Sequence, residues 1–365
     1  AMVGGPCGMT LWVVKLGTSL LRGDTAAAIE GYARGIAAAQ QRGDQVVLVT
    51  SGAVGLGCQR LGLSQRPTSV VALQAAAAVG QGHLMALYES AMGRYGSRVA
   101  QVLLTRSDLV DRLRYQKASG TLLQLLDWGV LPVVNENDAV SPVELRFGDN
   151  DTLSALVAAA LKADQLLLLT DVDRLYSADP RRDDGALPIA DVHHPKDLEA
   201  LQAVAGDGGR WGTGGMTTKL AAARIATASG VTMQLDDGRD PGRLEALLAG
   251  GRGGTVFHPH PDPLGNRRSW LAHVLEPEGT LELDAGACVA LQHQGASLLM
   301  VGITAVEGQF SSNQAVRLVD SRGDELGRGL CSMASDQLRQ ALMEMDSTVP
   351  SPVVVHRDAL VLHQR

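Results

Sequence analysis

The chain has 365 residues, of which 45% are hydrophobic and 19% charged, and its formal net charge is −7. This composition is typical of a globular protein, and the length is sufficient for two domains. No apolar run approaches the ~20 residues that a membrane span needs. Residues 1–10 lack the basic region of a signal peptide, so we interpret them as a disordered leader. The four scattered cysteines have no metal-ligand or disulfide spacing, which suits a reducing cytoplasm.

Strands and helices are predicted to alternate along the first two thirds of the chain. Apolar runs predict strands at residues 11–16, 46–49, 99–104, 165–170 and 231–235, with a further strand beginning at Val130. Helical patterns cover residues 24–41, 70–94, 115–128, 153–161, 198–205 and 216–229. The strands are continuous apolar runs, and such strands are buried on both faces. The sequence therefore predicts an α/β fold with an open, mostly parallel sheet sandwiched between helices.

The composition changes after this region. Three prolines within five positions begin a predicted linker at residues 258–277. Beyond it, residues 280–283, 288–291, 297–301 and 315–319 are short strand candidates separated by glycine-rich turns. We therefore predict an α/β domain at residues 11–257 and a small, mainly β domain at residues 278–365.

Two polar clusters mark a candidate site. Asp149, Asn150 and Asp151 precede a helical apolar run, and one of the last two is the candidate N-cap. Helix capping needs one or two of these side chains, so the third is left over for another role. A second cluster, residues 135–138, ends the strand that begins at Val130. Strand ends and helix starts are where α/β sheets bind ligands.

Glycine-rich loops containing lysine indicate phosphate chemistry. Lys15 opens one such loop at a strand end, and Lys219 closes another, residues 212–219, at a helix start. Backbone N–H groups in such loops can approach an anion, although tight turns and solvated lysines also explain them. The sequence contains no P-loop, no dinucleotide-binding fingerprint, no protein-kinase signature and no H-E-x-x-H zinc motif. Lysines, glycine loops and carboxylates together fit phosphoryl transfer with Mg²⁺.

Several motifs together resemble the amino-acid kinase family, in its branch with a C-terminal PUA domain. The motifs are VVKLGTSLL, VLVTSGAVGLG, VLPVVNENDAV, FGDNDTLSALVA, LLLLTDVDRLY and GTGGMTTKLAAA, followed by GASLLMVGI and VVVHRD. The resemblance extends from Leu11 to the C-terminus. It implies the amino-acid kinase fold and transfer of phosphate from ATP, with Mg²⁺, to the side-chain carboxylate of L-glutamate, at the entry to proline biosynthesis. Two positions depart from the family pattern, since Arg174 replaces a usual glycine and Met300 a usual proline.

The resemblance also implies roles for particular residues. Lys15 and Lys219 are expected to stabilise the transferring phosphoryl group, and Asp151 to orient both lysines. The residues expected at the glutamate site are Ser51, Asn135, Asp138, Asp149 and Asn150. Those expected at the ATP site are Lys15, Gly17, Thr170, Asp171, Thr213, Gly214, Gly215, Met216, Thr217, Thr218 and Lys219. The residues that hold the metal are left open.

Two kinds of alternative function are compatible with these motifs. Within the fold, the rivals are kinases of N-acetylglutamate, aspartate, carbamate or UMP. Another class is an RNA-binding PUA protein, but residues 278–356 carry ten acidic residues against four arginines and no lysine. RNA affinity depends on basic residues, so RNA binding is not expected. The resemblance further implies a homo-oligomer, with proline as feedback inhibitor at or beside the glutamate site.

Overall fold

The structure is a computed structural model that describes residues 9–105, 108–109, 112–140, 150–178, 180, 183–193, 196–198, 200–201, 214–261, 263, 277–312, 314–344 and 351–362. The chain divides into two compact units, Ala1–Pro263 and Leu264–Arg365. Residues 1–8 of the predicted leader lie outside the described residues, as do residues 202–205 of the helix predicted at 198–205.

An eight-stranded sheet forms the centre of the first unit. Its strands are β1 (Leu11–Leu16), β2 (Gln45–Val49), β3 (Arg98–Leu104), β4 (Val130–Glu136), β5 (Gln165–Thr170), β8 (Asp191–Val192), β9 (Thr232–Asp237) and β10 (Thr255–Phe257). They lie in the order β3-β4-β2-β1-β5-β9-β10-β8. Every neighbouring pair is parallel except β9 with β10. A separate antiparallel pair joins β6 (Leu175–Tyr176) to β7 (Pro188–Ile189). The predicted open, mostly parallel sheet is confirmed.

The central strands are buried along almost their whole length. In β1 every residue after Leu11 is buried, and β2, β4 and β5 have the same character. This explains why their sequences are continuous apolar runs. Lys15 of β1 pairs in register with Val49 of β2 and Leu168 of β5. The carboxyl ends of these parallel strands therefore meet at one edge of the sheet, where the predicted site residues lie.

Helices cover the sheet, at Thr25–Gln41, Ala53–Arg60, Val70–Gly93, Arg112–Asp127, Asn150–Leu161, Gly214–Ala228 and Arg243–Leu248. The predicted start of the first helix is confirmed, because the Asp24 side chain accepts a hydrogen bond from Ala27 N at 3.0 Å. Ser69 caps the long helix through Ala72 N at 3.3 Å. The helix Ala53–Arg60 is not among the predicted helices, and it contains two glycines, Gly55 and Gly57.

One described helix, Val70–Gly93, is long and apolar enough to cross a membrane by length and composition alone. This is weak evidence for a span. The helix buries Leu84, Tyr88 and Met92 in the hydrophobic core of the first unit, together with residues of β1, β2 and β4. Its composition is thus explained in part by packing inside the protein.

The second unit is mainly β. Five strands, β11 (Gly279–Leu283), β13 (Ile303–Gly308), β14 (Ala315–Val319), β15 (Glu325–Leu330) and β17 (Leu360–Leu362), form a sheet in the order β13-β11-β14-β15-β17. A small pair joins β12 (Leu298–Leu299) to β16 (Val353–Val355). Helices Ala285–Gln294 and Ser335–Met343 complete the described part of this unit. The predicted strands at 280–283 and 315–319 are confirmed.

Two strand predictions in this unit need correction. Residues 288–291 lie inside the helix Ala285–Gln294, which Asp284 caps by accepting a hydrogen bond from Ala287 N at 2.7 Å. Gly295 ends that helix in the left-handed conformation, with φ 59°. Residues 297–301 form a strand only at Leu298–Leu299, and a 3-10 turn follows at Met300–Gly302.

Candidate active site

Asp151 contacts two lysines at the carboxyl edge of the sheet. Its Oδ2 lies 3.1 Å from Lys219 Nζ, and its Oδ1 forms an ion pair with Lys15 Nζ. Thr218 Oγ1 donates to Asp151 Oδ2 at 2.9 Å. The exposed fractions of Lys15, Asp151 and Lys219 are 1%, 0% and 7%. Two cations and one anion therefore share a site almost closed to water.

The electrostatic balance of this group favours the ionised carboxylate. Burial by itself raises the pKa of Asp151, but the charges of Lys15 and Lys219 outweigh it and hold the pKa below its ordinary value. A carboxylate with a lowered pKa is a poor proton acceptor near neutral pH. Asp151 is thus suited to holding the lysines in place and poorly suited to acting as a general base.

Three different elements position these side chains. Lys15 lies near the end of β1, Asp151 in the first turn of the helix Asn150–Leu161, and Lys219 near the start of the helix Gly214–Ala228. The prediction that Asn150 or Asp151 is an N-cap is wrong, because both residues lie within the helix. Negative charge in a first helical turn is favourable, so the helix supports the ionised Asp151.

Asn150 organises a network of polar side chains beside the lysines. Its Nδ2 donates to Asn135 Oδ1 at 2.8 Å and to Ser51 Oγ at 3.1 Å, and it also contacts Thr50 O. Asn135 Nδ2 in turn donates to Gln81 Oε1 at 2.8 Å. The end of β4, the loop after β2 and the helix Asn150–Leu161 are thereby fixed to one another.

A cleft of about 520 Å³ opens over this network. Four of the five residues expected at the glutamate site line it: Ser51, Asn135, Asp138 and Asn150. The fifth, Asp149, lies outside the described residues. The structure thus brings together, in one cleft, residues as distant in the sequence as Ser51 and Asn150, which are 99 positions apart.

The first turn of the helix Ala53–Arg60 forms another part of the cleft wall. Gly52 has φ 95° and precedes this helix without a side-chain cap. Ala53, Val54 and Gly55 line the cleft. A helix start of this kind presents backbone N–H groups and a positive dipole end to a bound anion.

Among the cleft-lining residues that sequence reasoning missed are Thr18, Glu136 and the two arginines Arg22 and Arg66. Thr18 belongs to the glycine loop that begins at Lys15, and Glu136 stands inside the second polar cluster, so the motifs contained a signal for these two residues. Arg22 directly follows the motif that ends at Leu21. Arg66 lies in the connection between two helices and had no such signal. It adds an exposed positive charge to the cleft.

The residues expected at the ATP site lie on the neighbouring strands. Gly17 N donates to Leu169 O at 3.1 Å, which places the loop after β1 against the end of β5. Thr170 ends β5, and its Oγ1 donates to Asp171 Oδ1 at 3.1 Å. Asp171 is exposed at the same edge.

The remaining ATP-site expectations fall at the start of one helix. Gly214, Gly215, Met216, Thr217, Thr218 and Lys219 all belong to the helix Gly214–Ala228, whereas Thr213 lies outside the described residues. Lys219 Nζ also donates to Gly215 O at 3.3 Å, so the lysine folds back over the helix start.

Arg174, the departure from the family pattern, belongs to a polar group near Asp171. Its Nε donates to Asp173 Oδ2 at 3.2 Å, and Tyr176 Oη donates to the same oxygen at 3.0 Å. The arginine is therefore accommodated by a neighbouring acid.

Each of the two units matches a known protein family. The model of the Amino acid kinase family matches residues 10–235, and that of the PUA domain matches residues 279–349. The glutamate 5-kinases of Synechococcus sp. (strain CC9605) and Synechococcus sp. (strain CC9902) are 74% and 76% identical to this chain over 357 residues. The matches cover 98% of this chain and 100% of each relative. Among solved structures, carbamate kinase from Giardia lamblia bound to AMP-PNP has a TM-score of 0.50 and 21% identity, covering 69% of this chain and 99% of that chain.

Proposed function

Since this chain belongs to the amino acid kinase family, we propose that it transfers the γ-phosphate of ATP to the side-chain carboxylate of L-glutamate. The product is L-glutamyl 5-phosphate, the first intermediate of proline biosynthesis. Relatives that match over their whole length at 74% and 76% identity are glutamate 5-kinases, and this supports the choice of substrate.

The observation that carries the proposal is the Lys15–Asp151–Lys219 group beside a polar cleft. A carboxylate acceptor is already ionised at neutral pH, so its phosphorylation requires no general base. It requires positive charge around the phosphoryl group and a fixed acceptor. Two lysines held by a carboxylate of lowered pKa meet the first requirement, and the amide network of the cleft meets the second.

These lysines and cleft residues define the proposed transfer step. A side-chain carboxylate oxygen of glutamate attacks the γ-phosphorus, and the bond from that phosphorus to the β–γ bridging oxygen breaks. ADP leaves with the electron pair, and no proton moves. Lys15 and Lys219 stabilise the negative charge that spreads over the phosphoryl oxygens in the transition state. Asp151 is a positioning residue, because it holds both ammonium groups.

The cleft supplies complementary groups for a free amino acid. Asn150, Asn135 and Ser51 offer neutral hydrogen bonds, and Asp138 offers a negative charge for the ammonium group. The start of the helix Ala53–Arg60 offers backbone donors for the α-carboxylate. Asp149, which adjoins Asn150 in the sequence, is proposed for the same site.

We assign the nucleotide to the ends of the neighbouring strands β1 and β5 and to the start of the helix Gly214–Ala228. The residues concerned are Lys15, Gly17, Thr170, Asp171 and residues 213–219. Mg²⁺ is proposed to accompany the ATP, since it typically keeps waters and binds substrate phosphates with one or two carboxylates. Both oxygens of Asp151 contact lysines, whereas Asp171 offers an exposed carboxylate at this edge. Asp171 therefore fits as a ligand, and the ion supplies charge neutralisation at the phosphates.

A trapping assay tests the proposed reaction. The protein is incubated with ATP, Mg²⁺, hydroxylamine and one acid at a time: L-glutamate, N-acetylglutamate or L-aspartate. Because an acyl phosphate reacts with hydroxylamine, we expect γ-glutamyl hydroxamate with glutamate and little hydroxamate with the other two acids. Hydroxamate formed preferentially from N-acetylglutamate or aspartate would assign the chain to another branch of the family.

The domain limits, the oligomeric state and the location of the protein are proposed as follows. We propose that residues 11–257 form the catalytic domain, 258–277 the linker and 278–365 the PUA domain; the family matches at residues 10–235 and 279–349 support the order of the two domains. A homo-oligomer is supported by the exposed apolar side chains Val70, Val71 and Val79 on the long helix. The scattered cysteines support a cytoplasmic location.

Proline is proposed as a feedback inhibitor. It carries the ammonium and α-carboxylate groups of glutamate but lacks the carboxylate that receives the phosphate. It can therefore occupy the amino-acid contacts of the cleft without reacting, and its inhibition is expected to weaken as glutamate rises.

A further inference from the structure

A second cluster of polar side chains lies at the β8–β10 edge of the eight-stranded sheet. Val256 and Phe257 of β10 pair in parallel with Asp191 and Val192 of β8. His193 and His258 directly follow these pairs, so the same register places them opposite each other. Asp191 and His193 are two residues apart, and side chains two apart on an extended chain lie on the same face.

The three side chains are in contact. His258 Nε2 lies 2.7 Å from Asp191 Oδ1. The imidazole rings of His193 and His258 are stacked, with centroids 4.1 Å apart and planes inclined by 13°. One nitrogen or oxygen atom from each of the three residues lies within 4.8 Å of the other two.

An ion from solvent can reach this cluster. The exposed fractions of the His258 and Asp191 side chains are 26% and 34%, and His193 is exposed as well. Side chains at such a surface can rotate at little cost. The ligands of a tetrahedral zinc ion, with bonds of ~2.0–2.2 Å, lie ~3.3 Å apart. To reach this geometry, side-chain rotations must open the 2.7 Å contact and turn the stacked imidazoles, whose donor atoms lie with that of Asp191 within 4.8 Å of one another.

The donor set selects a class of metal. Imidazole nitrogen is a preferred ligand of Zn²⁺ and of other late transition metals, whereas Mg²⁺ and Ca²⁺ prefer oxygen. Two imidazoles and one carboxylate form a three-ligand set with positions left for water, as in mononuclear zinc sites. No residue of this cluster belongs to the cleft or to the lysine group described above.

We propose that Asp191, His193 and His258 bind one divalent transition-metal ion, with Zn²⁺ as the best match. The ion joins the short edge strand β8 to the segment that follows β10. That segment is also held by His260 N, which donates to Thr227 O at 2.9 Å in the helix Gly214–Ala228. Metal binding is therefore expected to stabilise this side of the first unit.

A zinc titration of the full-length, untagged chain tests the proposal. The protein is stripped with a chelator and titrated with ZnCl₂ at pH 7.5 against a coloured zinc indicator, with excess Mg²⁺ present. We expect one Zn²⁺ per chain at this site and an unfolding temperature that rises with zinc concentration. His193→Ala and His258→Ala are each expected to weaken binding at least tenfold, and Asp191→Asn by a smaller factor. His293→Ala, at an exposed histidine of the second unit, is the matched control and is expected to bind like the wild type.

Two results would overturn the proposal. One is stoichiometric zinc binding that survives in a His193→Ala/His258→Ala double variant, since the ion then binds elsewhere. The other is wild-type binding no tighter than that of the double variant, because the cluster is then only a hydrogen-bonded pair with a stacked imidazole. Circular dichroism checks the fold of each variant, and His193→Gln with His258→Gln replaces the alanine pair if that pair does not fold.

Discussion

Asp151 holds two lysines at once, so a single carboxylate controls the charge of the proposed transfer site. The family resemblance implied that Lys15, Asp151 and Lys219 belong to one site, with Asp151 orienting both lysines. The motifs could not reveal that each lysine takes a different oxygen of Asp151, or that Arg66 lines the cleft. Such contacts depend on how separate elements pack, which no local pattern encodes.

The first prediction concerns the lysines. Lys219→Ala and Lys15→Ala are each expected to lower kcat by ~10²–10³, the usual cost of losing one group that stabilises transition-state charge. The KM for glutamate should change little, because the lysines act mainly in the transition state. Steady-state kinetics measure both constants. Lys117→Ala, at an exposed lysine of the helix Arg112–Asp127, is the control. Near-normal turnover in a folded Lys219→Ala enzyme would refute the role of that lysine.

A second prediction concerns the stability that Asp151 provides. Removing one partner of a buried charge pair typically costs ~3–5 kcal/mol, so Asp151→Asn should lower the free energy of unfolding by about that amount at pH 7. The pKa of Asp151 is lowered in the folded state from 3.8. The stabilisation is therefore fully present above about pH 5 and is lost as the pH falls through 3.8 toward the folded pKa.

Urea unfolding of wild type and Asp151→Asn between pH 7 and pH 3 measures this dependence. The difference between the two proteins should stay constant down to about pH 5 and shrink below pH 4. A difference that grows on acidification would show that the carboxyl group is not held ionised by the lysines.

The third prediction tests the partner of the substrate ammonium group. Asp138→Asn keeps the shape of the side chain and deletes its charge, so the KM for glutamate should rise at least about tenfold, or ~1.4 kcal/mol. The KM for ATP should change little. Asp127→Asn, at an exposed position before the opposite end of β4, is the matched control. If the KM for glutamate is unchanged in Asp138→Asn, the ammonium group binds elsewhere in the cleft.

At the scale of elements, long apolar runs were predicted well and glycine-rich segments were not. The strands β1 to β5 and β9 and the helix Val70–Gly93 have patterns that tertiary packing does not override, whereas the short strands β8 and β10 were not predicted. The helix Ala53–Arg60 contains two glycines, which favour a loop in isolation. Residues 288–291 are apolar enough for a short strand, but the Asp284 cap and Gly295 end define a helix that a four-residue pattern cannot reveal.

Close packing explains why the helix Ala53–Arg60 contains glycine. A Cβ atom on Gly80 of the long helix would lie 1.8 Å from Ala53 O, and one on Gly57 would lie 1.8 Å from Ala76 O. The two helices therefore cross with their backbones in contact. Since Ala53 begins the helix whose first turn lines the cleft, this crossing also sets the position of the cleft wall.

The fourth prediction follows from this crossing. Gly80→Ala should lower the free energy of unfolding by ~1–3 kcal/mol through overpacking, and raise the KM for glutamate by displacing the helix start. Gly82→Ala, two residues further along the same helix and facing open space, should be stabilising by up to ~1 kcal/mol through helix propensity. Chemical denaturation and kinetics on the pair compare the two effects. Equal stability of the two variants would contradict the close crossing.

At the scale of the whole molecule, the net charge of the second unit bears on whether this unit binds RNA. The excess of acidic residues in the second unit opposes binding to a phosphate backbone. We therefore predict that the full-length chain shows no tight, salt-sensitive binding to structured or single-stranded RNA in a gel-shift assay. Submicromolar binding that weakens steeply with salt would assign the second unit a nucleic-acid role.

The proposed reaction forms a bond between a side-chain oxygen of glutamate and the transferred phosphorus. Glutamate labelled with ¹⁸O only in its side-chain carboxylate, incubated with ATP, Mg²⁺ and hydroxylamine, tests this bond through mass spectrometry of the released phosphate. Hydroxylamine attacks the acyl carbon, so the phosphate leaves with the bridging oxygen of the former carboxylate. We predict one ¹⁸O atom in each phosphate that accompanies hydroxamate. Unlabelled phosphate released in step with ADP would contradict the account, because the enzyme would then transfer the phosphoryl group to water.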